Sequence, residues 1–462
     1  MTNFWDFSVW GSFMLFAVLL VSLLAANILK KGLPFLAKSL IPTSVLGGAI
    51  LLVIAIIYKA ITGEVLFDTA FFGGSGSATL ETLTYHTLAL GFIATALKTT
   101  GGKLTKKRTE EIFNTGVTTV STYLIQGVVG MGITIIAALL IKDFFEASGL
   151  LLAFGYGQGT GQALNYGGIY ETEFGFVGGK SFGLTIAALG FICAALGGVI
   201  HLNVMRRKGK FKSIKAEGTA IDHKEIQSEN EIPMQESIDK MTVQIALIAL
   251  SYMLAFLLMM GLGKLIPGMK SVIYGFNFLL GVLCATLVKA ALGFLNKKKL
   301  VRRQHTNNFL LTRAGNFFFD IMVVAGIAAI RLDMLEKYWG IILIIGVLGA
   351  VVTYIYNRIV AKTLFGEYAE EQFLAMYGML TGTASTGIIL LREIDGDFET
   401  PASDNLVYQN FPAIVFGFPL MLLATLAPKK PVLTLIILFL FFVVLNIILF
   451  RKFIFRRKNK KK

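Results

Sequence analysis

The amino-acid sequence predicts an all-α polytopic membrane protein, and three observations carry that expectation. The 462-residue chain is 55% hydrophobic with a mean hydropathy of +0.70, too apolar for a soluble protein of this length and unlike a disordered one. Apolar runs of about 20 residues recur along it, the length at which a helix crosses a hydrocarbon core roughly 30 Å thick. Lysines and arginines gather between those runs, as the positive-inside rule requires of cytoplasmic loops.

The same clustering explains the formal net charge of +15, so no nucleic-acid partner is expected. Met1 to Ser8 carries one Asp and no Lys or Arg, so the first apolar run reads as an uncleaved span rather than a signal peptide. Cys193 and Cys284 both lie in apolar runs without metal-like spacing and read as packing residues.

Helices are expected near 9–30, 42–60, 84–98 and 115–141. A glycine-broken segment follows at 150–168, then a helix at 181–205 and a polar linker over 206–240. Helices resume near 241–262, 271–293, 309–330 and 338–362. A second broken segment covers 374–392, and two last helices fall near 404–428 and 432–451.

With the N-terminus outside, the bases at Lys30, Lys31 and Lys38, at Lys98 to Arg108, at Arg206 to Lys212, at Lys297 to Arg303 and in the tail from Arg451 all fall inside. Lys429 and Lys430 are the exception. The count closes only if both broken segments fold back without crossing, which leaves about eleven spans. The first then re-enters from outside and the second from the cytoplasm. This predicts two halves of inverted topology, 1–205 and 241–428, around the linker, with 429–462 as an extra helix and basic tail.

The first break reads Gly155-Tyr-Gly-Gln-Gly-Thr-Gly-Gln162. Alternate glycines disfavour a regular helix and let a ligand approach the backbone. At membrane depth such a break survives only where it is buried in protein or lines a wet cavity. Gly157, Gln158, Gly159, Thr160, Gly161 and Gln162 are therefore candidate substrate ligands. The second break, Tyr377 to Gly387, offers Gly382, Thr383, Ser385 and Thr386. Freed carbonyls and hydroxyls suit a sodium-sized cation, and helix N-termini suit a carboxylate.

Asp320 is a carboxylate within a predicted span, hence a candidate cation or proton site, or the partner of Arg331 or Arg392. Asn316, Asn405 and Gln409 join it as candidate cation ligands, and Arg392 is a candidate for a substrate carboxylate through its guanidinium fork. Gly178-Gly-Lys-Ser181 fails as a phosphate loop, because its first glycine would fall on Phe174. His86, His201, His223 and His305 are scattered, and no nucleophile stands beside a base. Binding rather than enzymatic chemistry is expected.

Several of these residues resemble motifs of the bacterial sodium/glutamate symporter family. Ile41-Pro-Thr-Ser-Val-Leu-Gly-Gly48 looks like the opening of that family's second helix. Gly157-Gln-Gly-Thr-Gly161 is similar to its Gly-His-Gly-Thr-Gly hairpin, and Gln126 falls where the preceding helix carries a Gln. Gly315-Asn316 matches a family Gly-Asn helix, and Gly382-Thr-Ala-Ser-Thr386 looks like Gly-Ala-Thr-Pro-Thr.

The resemblance implies inverted five-helix repeats each with a re-entrant hairpin, a homodimer in a bacterial plasma membrane, and sodium-driven uptake of an acidic amino acid. One part of each protomer would be a scaffold and the other would carry the site across the membrane. The chain departs from the family at Gln158 for histidine, Ser385 for proline, Leu390 for asparagine and Asp320 for serine, and adds Pro431 to Lys462. A sodium- or proton-coupled di- or hydroxycarboxylate carrier and an ion channel with a Gly/Thr filter stand as alternatives.

Overall fold

The computed structural model describes residues 3–38, 40–98, 105–208, 231–234, 238–267, 270–299, 303–335, 337–395 and 400–456. The linker bases Lys210 and Lys212, together with Lys103, Arg302, His223 and the tail beyond 456, lie outside the described residues.

Before the linker the helices are α1 (Phe7–Gly32), α2 (Pro34–Lys38), α3 (Thr43–Thr62), α4 (Gly76–Leu97), α5 (Lys106–Leu140), α6 (Leu151–Phe174) and α7 (Gly179–Arg207). After it come α8 (Lys240–Leu265), α9 (Lys270–Gly275), α10 (Asn277–Lys297), α11 (Asn308–Ala328) and α12 (Trp339–Leu364). The last six are α13 (Ala369–Thr381), α14 (Ala384–Arg392), α15 (Ala402–Tyr408), α16 (Asn410–Leu426), α17 (Pro431–Leu449) and α18 (Arg451–Arg456). No strand forms among the described residues.

Local chemistry sets several boundaries. α5 starts at Lys106 rather than near 115, because the Thr105 hydroxyl accepts from Arg108 N at 3.3 Å and caps the added turns. The Asp239 carboxylate caps α8 by accepting from the Met241 and Thr242 amides. Pro431 opens α17 at a position that needs no N–H. The single helix expected over 404–428 is instead α15 followed by α16. Pro412 lacks an N–H, and its ring crowds the carbonyl of Tyr408. The helix expected at 271–293 is likewise divided, at Phe276, and α4 begins at Gly76 rather than near 84.

Nine helices among the described residues are long and apolar enough to cross a membrane: α1, α3, α5, α7, α8, α10, α11, α12 and α17. α4 and α16, which the charge count needs as spans, are not among these; the apolar stretch of α16 is the shorter Pro412–Leu426. α17 is apolar on nearly every face and mostly unburied, as a lipid-facing helix is.

The chain divides into two compact units. One takes Met1–Ser77, Leu104–Ala216 and Gly326–Lys462, and the other takes Ala78–Lys103 and Glu217–Ala325. Each draws on both sides of the linker, so the sequence halves and the compact units do not coincide.

In the smaller unit, Gly91 admits the Phe319 ring and Gly281 admits Ile93, small-residue packing suited to apolar helices. Its polar end is a buried pair, Lys240 Nζ to Glu231 Oε2 at 2.8 Å, with Asn307 Nδ2 donating to the same carboxylate at 2.6 Å. Ile232 N donates to the Gln304 carbonyl, so the end of the linker is hydrogen-bonded to this unit.

Candidate functional site

Within the larger unit, α5 acts as a ruler for both broken segments. α6 is two helical arms that meet at Gly159, whose φ of 80° and ψ of −172° are a combination essentially restricted to glycine. The helix reverses there. Phe154 and Tyr166 would stand about 18 Å apart along a straight helix; instead their rings stack with centroids 3.9 Å apart. α6 is thus a hairpin with its tip at Gly159. Its base sits at the C-terminal half of α5, where Gly149 and Gly130 meet backbone to backbone and Thr134 Oγ1 donates to the Glu146 carbonyl. Phe145 stacks on Phe176 at 4.7 Å and closes this base.

α13 and α14 form the second hairpin. Gly387 lies against the Ala375 carbonyl and Gly378 against Gly387, so the arms touch through their backbones. The turn is Gly382–Thr383, with Thr383 extended and its hydroxyl accepting from Thr386 N at 3.4 Å. The first arm starts beside the N-terminal half of α5, where Gln372 Nε2 donates to Thr115 Oγ1 at 3.4 Å. At the entrance Arg358 forks onto Glu370, which also bonds His201.

The hairpins therefore approach from opposite ends of one helix and meet at its middle. Gln126 stands at the meeting point. Its Nε2 donates to the Leu380 carbonyl on the second hairpin and to Thr353 Oγ1 on α12, each at 2.8 Å. Its Oε1 lies 3.2 Å from where a Cβ on Gly157 would stand. Because Leu380 O can only accept, the amide orientation is determined and Oε1 is the atom without a partner.

α7 and α12 pin both first arms. Tyr156 Oη donates to the Gly346 carbonyl at 2.8 Å, and Tyr377 Oη donates to the Cys193 carbonyl at 3.0 Å. Gly190, Gly197 and Gly198 on α7 lie against Thr381, Tyr377 and Leu390 of the second hairpin.

The candidate residues fall into distinct places. Gly157, Gly159, Thr160, Gly161 and Gln162 are buried at the first tip, and Gln158 is half-buried there. Gln162 accepts from Asn165 Nδ2, and its Nε2 is buried without a partner. Gly382 and Thr386 are buried at the second tip, with Thr383 half-buried; the Ser385 side chain lies outside the described residues. Arg392 is exposed at the far end of α14, a helix length from the tip. Its neighbour Glu393 pairs with Arg206 at 3.0 Å. Asn405 on α15 and Gln409 at the junction of α15 and α16 are buried beneath the second hairpin. Asn316 and Asp320 belong to α11 in the smaller unit, the first exposed and the second half-buried. Arg331 is engaged by Asp333 at 3.5 Å.

The segments around the tips carry no formal charge: 112–141, 147–170, 181–205, 340–357 and 372–391 contain no Asp, Glu, Lys or Arg. Their polarity comes from hydroxyls, amides and the His201 imidazole. On α5, Thr115, Thr118, Thr119, Ser121 and Thr122 are fully buried. The threonines bond back to carbonyls four residues earlier, as Thr118 Oγ1 does to Asn114 O at 2.7 Å. Sequence reasoning passed over this stripe; its signal was the repetition of small hydroxyl residues at helical spacing through an apolar span.

Comparison with protein-family models, with curated proteins and with solved structures found no match to the chain.

Proposed function

We propose that this protein is a sodium-coupled secondary transporter that imports glutamate or a similar small carboxylate by elevator-type alternating access. The observation that carries the proposal is the convergence of two hairpins, from opposite ends of α5, on Gln126. In this reading both hairpins are re-entrant from opposite membrane faces and α4 and α16 complete two inverted repeats. The N-terminus is outside and the C-terminus cytoplasmic in a bacterial plasma membrane, and the protein is a homodimer. Irregular backbone buried among helices is where membrane carriers bind cargo.

Each part has a chemical role. The break at Gly159 opens the N-terminal end of the second arm onto the tip, where backbone N–H groups and the helix dipole favour a carboxylate. Gln162 Nε2 and the hydroxyls of Thr383 and Thr386 add neutral donors. Gln126 Oε1 offers an acceptor to an ammonium group. Neutral oxygens at Gly382, Asn405 and Gln409 are the cation ligands of this reading within the larger unit, and Asn316 and Asp320 are separate cation candidates of the smaller unit. Nothing is chemically transformed: a sodium gradient drives uptake only through unequal affinities in the outward and inward states. Both hairpins belong to one compact unit, as a carrier that moves its site bodily requires.

The half-buried Asp320 favours a second reading, a di- or hydroxycarboxylate carrier coupled to protons. Uptake into proteoliposomes, screening carboxylates with a sodium gradient, a proton gradient or neither, separates the two. Uptake that follows neither gradient, or flux that never saturates, would reject both.

A further inference from the structure

We propose that Asn405 and Gln409 form a discrete site for a monovalent alkali cation, in the first place sodium, lying beneath the second hairpin and separate from the hairpin tips. This deepens the carrier reading, on which its coupling role rests; the binding site itself follows from hydrogen-bond directions.

The directions start from a backbone carbonyl, which can only accept. Thr115 Oγ1 donates to the Glu111 carbonyl at 2.8 Å, so its lone pairs face outward. Gln372 Nε2 donates to that hydroxyl at 3.4 Å, which turns Gln372 Oε1 toward Asn405. Asn405 Nδ2 donates to Gln372 Oε1 at 2.8 Å and to Tyr368 Oη at 3.2 Å. Asn405 Oδ1 is then left over, buried and without a partner.

Gln409, four residues on, reaches the same state independently. Its Nε2 donates to the Leu406 carbonyl at 3.4 Å and lies near Asn410 Oδ1 and Met379 Sδ, which leaves Oε1 without a partner. Gln409 caps the C-terminal end of α15, its amide donating to the Asn405 carbonyl at 3.0 Å, so the two side chains follow one another at helical i, i+4 spacing, and both are essentially inaccessible to solvent.

Two buried carbonyl oxygens whose own amide nitrogens are committed need something electropositive. The surrounding groups exclude most occupants. A substrate carboxylate would meet oxygen atoms of its own sign. A divalent ion lacks carboxylate ligands here: Glu111 is paired with Arg108 at 2.7 Å, and Asp404, exposed, faces Arg108 at 3.7 Å. A monovalent alkali cation, whose hydration shell neutral carbonyl oxygens can replace, remains. Met379 lies two residues from Thr381 at the end of the first arm, so occupancy of this site bears on the second hairpin near its tip.

The test uses the full-length protein purified in detergent, without substrate. Thermal unfolding midpoints and radiosodium binding are measured in sodium against choline chloride at equal ionic strength. Sodium is expected to raise the midpoint saturably. Gln409→Met is expected to weaken apparent sodium affinity at least tenfold, and Asn405→Asp to keep the response and tighten it at neutral pH. A midpoint indifferent to cation identity would mean that only water satisfies these oxygens, and would overturn the site. Wild-type sodium affinity in Gln409→Met would overturn it as well. If Gln409→Met does not fold, unchanged affinity in Asn405→Asp decides against the site by itself. Sodium-driven uptake by Gln409→Met with wild-type sodium dependence removes the site but leaves the carrier reading standing. Absence of sodium-driven uptake in the unsubstituted chain removes the carrier reading, and the detergent binding data then judge the site alone.

Discussion

Gln126 and Leu380, 254 residues apart in sequence, are joined by a 2.8 Å hydrogen bond from the glutamine amide to the leucine carbonyl. The bond ties the middle of α5 to the end of the second hairpin's first arm, and the same side chain turns its carbonyl oxygen toward Gly157 on the first hairpin. Replacing Gln126 by Leu leaves the buried Leu380 carbonyl without this donor, at a cost of about 1–3 kcal/mol. Unfolding of the purified variant should show that loss, and uptake should fall below detection. Wild-type uptake by Gln126→Leu would exclude Gln126 from the site.

Gly159 takes a backbone conformation that a β-branched residue cannot adopt without severe strain. Gly159→Val should therefore insert and reach the membrane but neither close the α6 hairpin nor transport. Surface-expressed protein measured against uptake checks both halves of the statement.

Two glycines make a matched pair. A Cβ at Gly190 would collide with the Thr381 carbonyl at the second hairpin, whereas a Cβ at Gly261 in α8 meets nothing within 4 Å. Gly190→Ala should destabilise the protein and displace the hairpin, lowering uptake sharply. Gly261→Ala should leave uptake unchanged and stabilise α8 by about 0.5–1 kcal/mol, the helical preference of alanine over glycine. Thermal midpoints of the two variants should move in opposite directions.

The C-terminal helix α17 is built into the larger unit. Tyr356 Oη donates to Asn446 Oδ1 at 2.9 Å, Leu438 packs at Gly127, and Arg451 reaches Glu110 at 3.2 Å. Hydrogen bonds between apolar helices are worth on the order of 0.6 kcal/mol, up to roughly 1.7 kcal/mol. Asn446→Leu should cost within that range in unfolding assays, while Asn446→Gln retains part of it.

A pH dependence follows from the loop between α11 and α12. Burial pushes the Asp333 carboxyl up, but a hydrogen bond from Lys59 and the charges of Arg331 and Lys59 outweigh it and hold the carboxyl below its usual range. Its contribution is fully present above the ordinary carboxylate pKa of about 4 and is lost as pH falls through the lowered folded value. The pair is exposed enough that the effect is small. Lys59→Gln should flatten this part of the acid-unfolding curve of the wild-type protein without altering the curve above neutrality.

The positions of both chain reversals were legible because glycine spacing and hydroxyl content depart from helical composition at Gly155–Gln162 and Gly382–Thr386. Helix boundaries at Lys106 and at the α15–α16 junction were less so, since one depends on the Thr105 cap and the other on the reach of the Pro412 ring. Thr115, Thr118 and Thr122 read as ordinary helix residues, because a threonine bonded to the carbonyl four back looks the same in sequence whether it faces lipid or a buried site.

What the sequence alone determined is the helical membrane class and the two places where the backbone must break, since hydropathy and the glycine φ range act over a few residues at a time. Which atoms are left unsatisfied was decided only by tertiary structure. The orphan oxygens of Gln126, Asn405 and Gln409 exist because partners such as Leu380 and Gln372 consume the other end of each amide. An amide side chain carries donor and acceptor together, and only its neighbours in space decide which of them remains for a ligand.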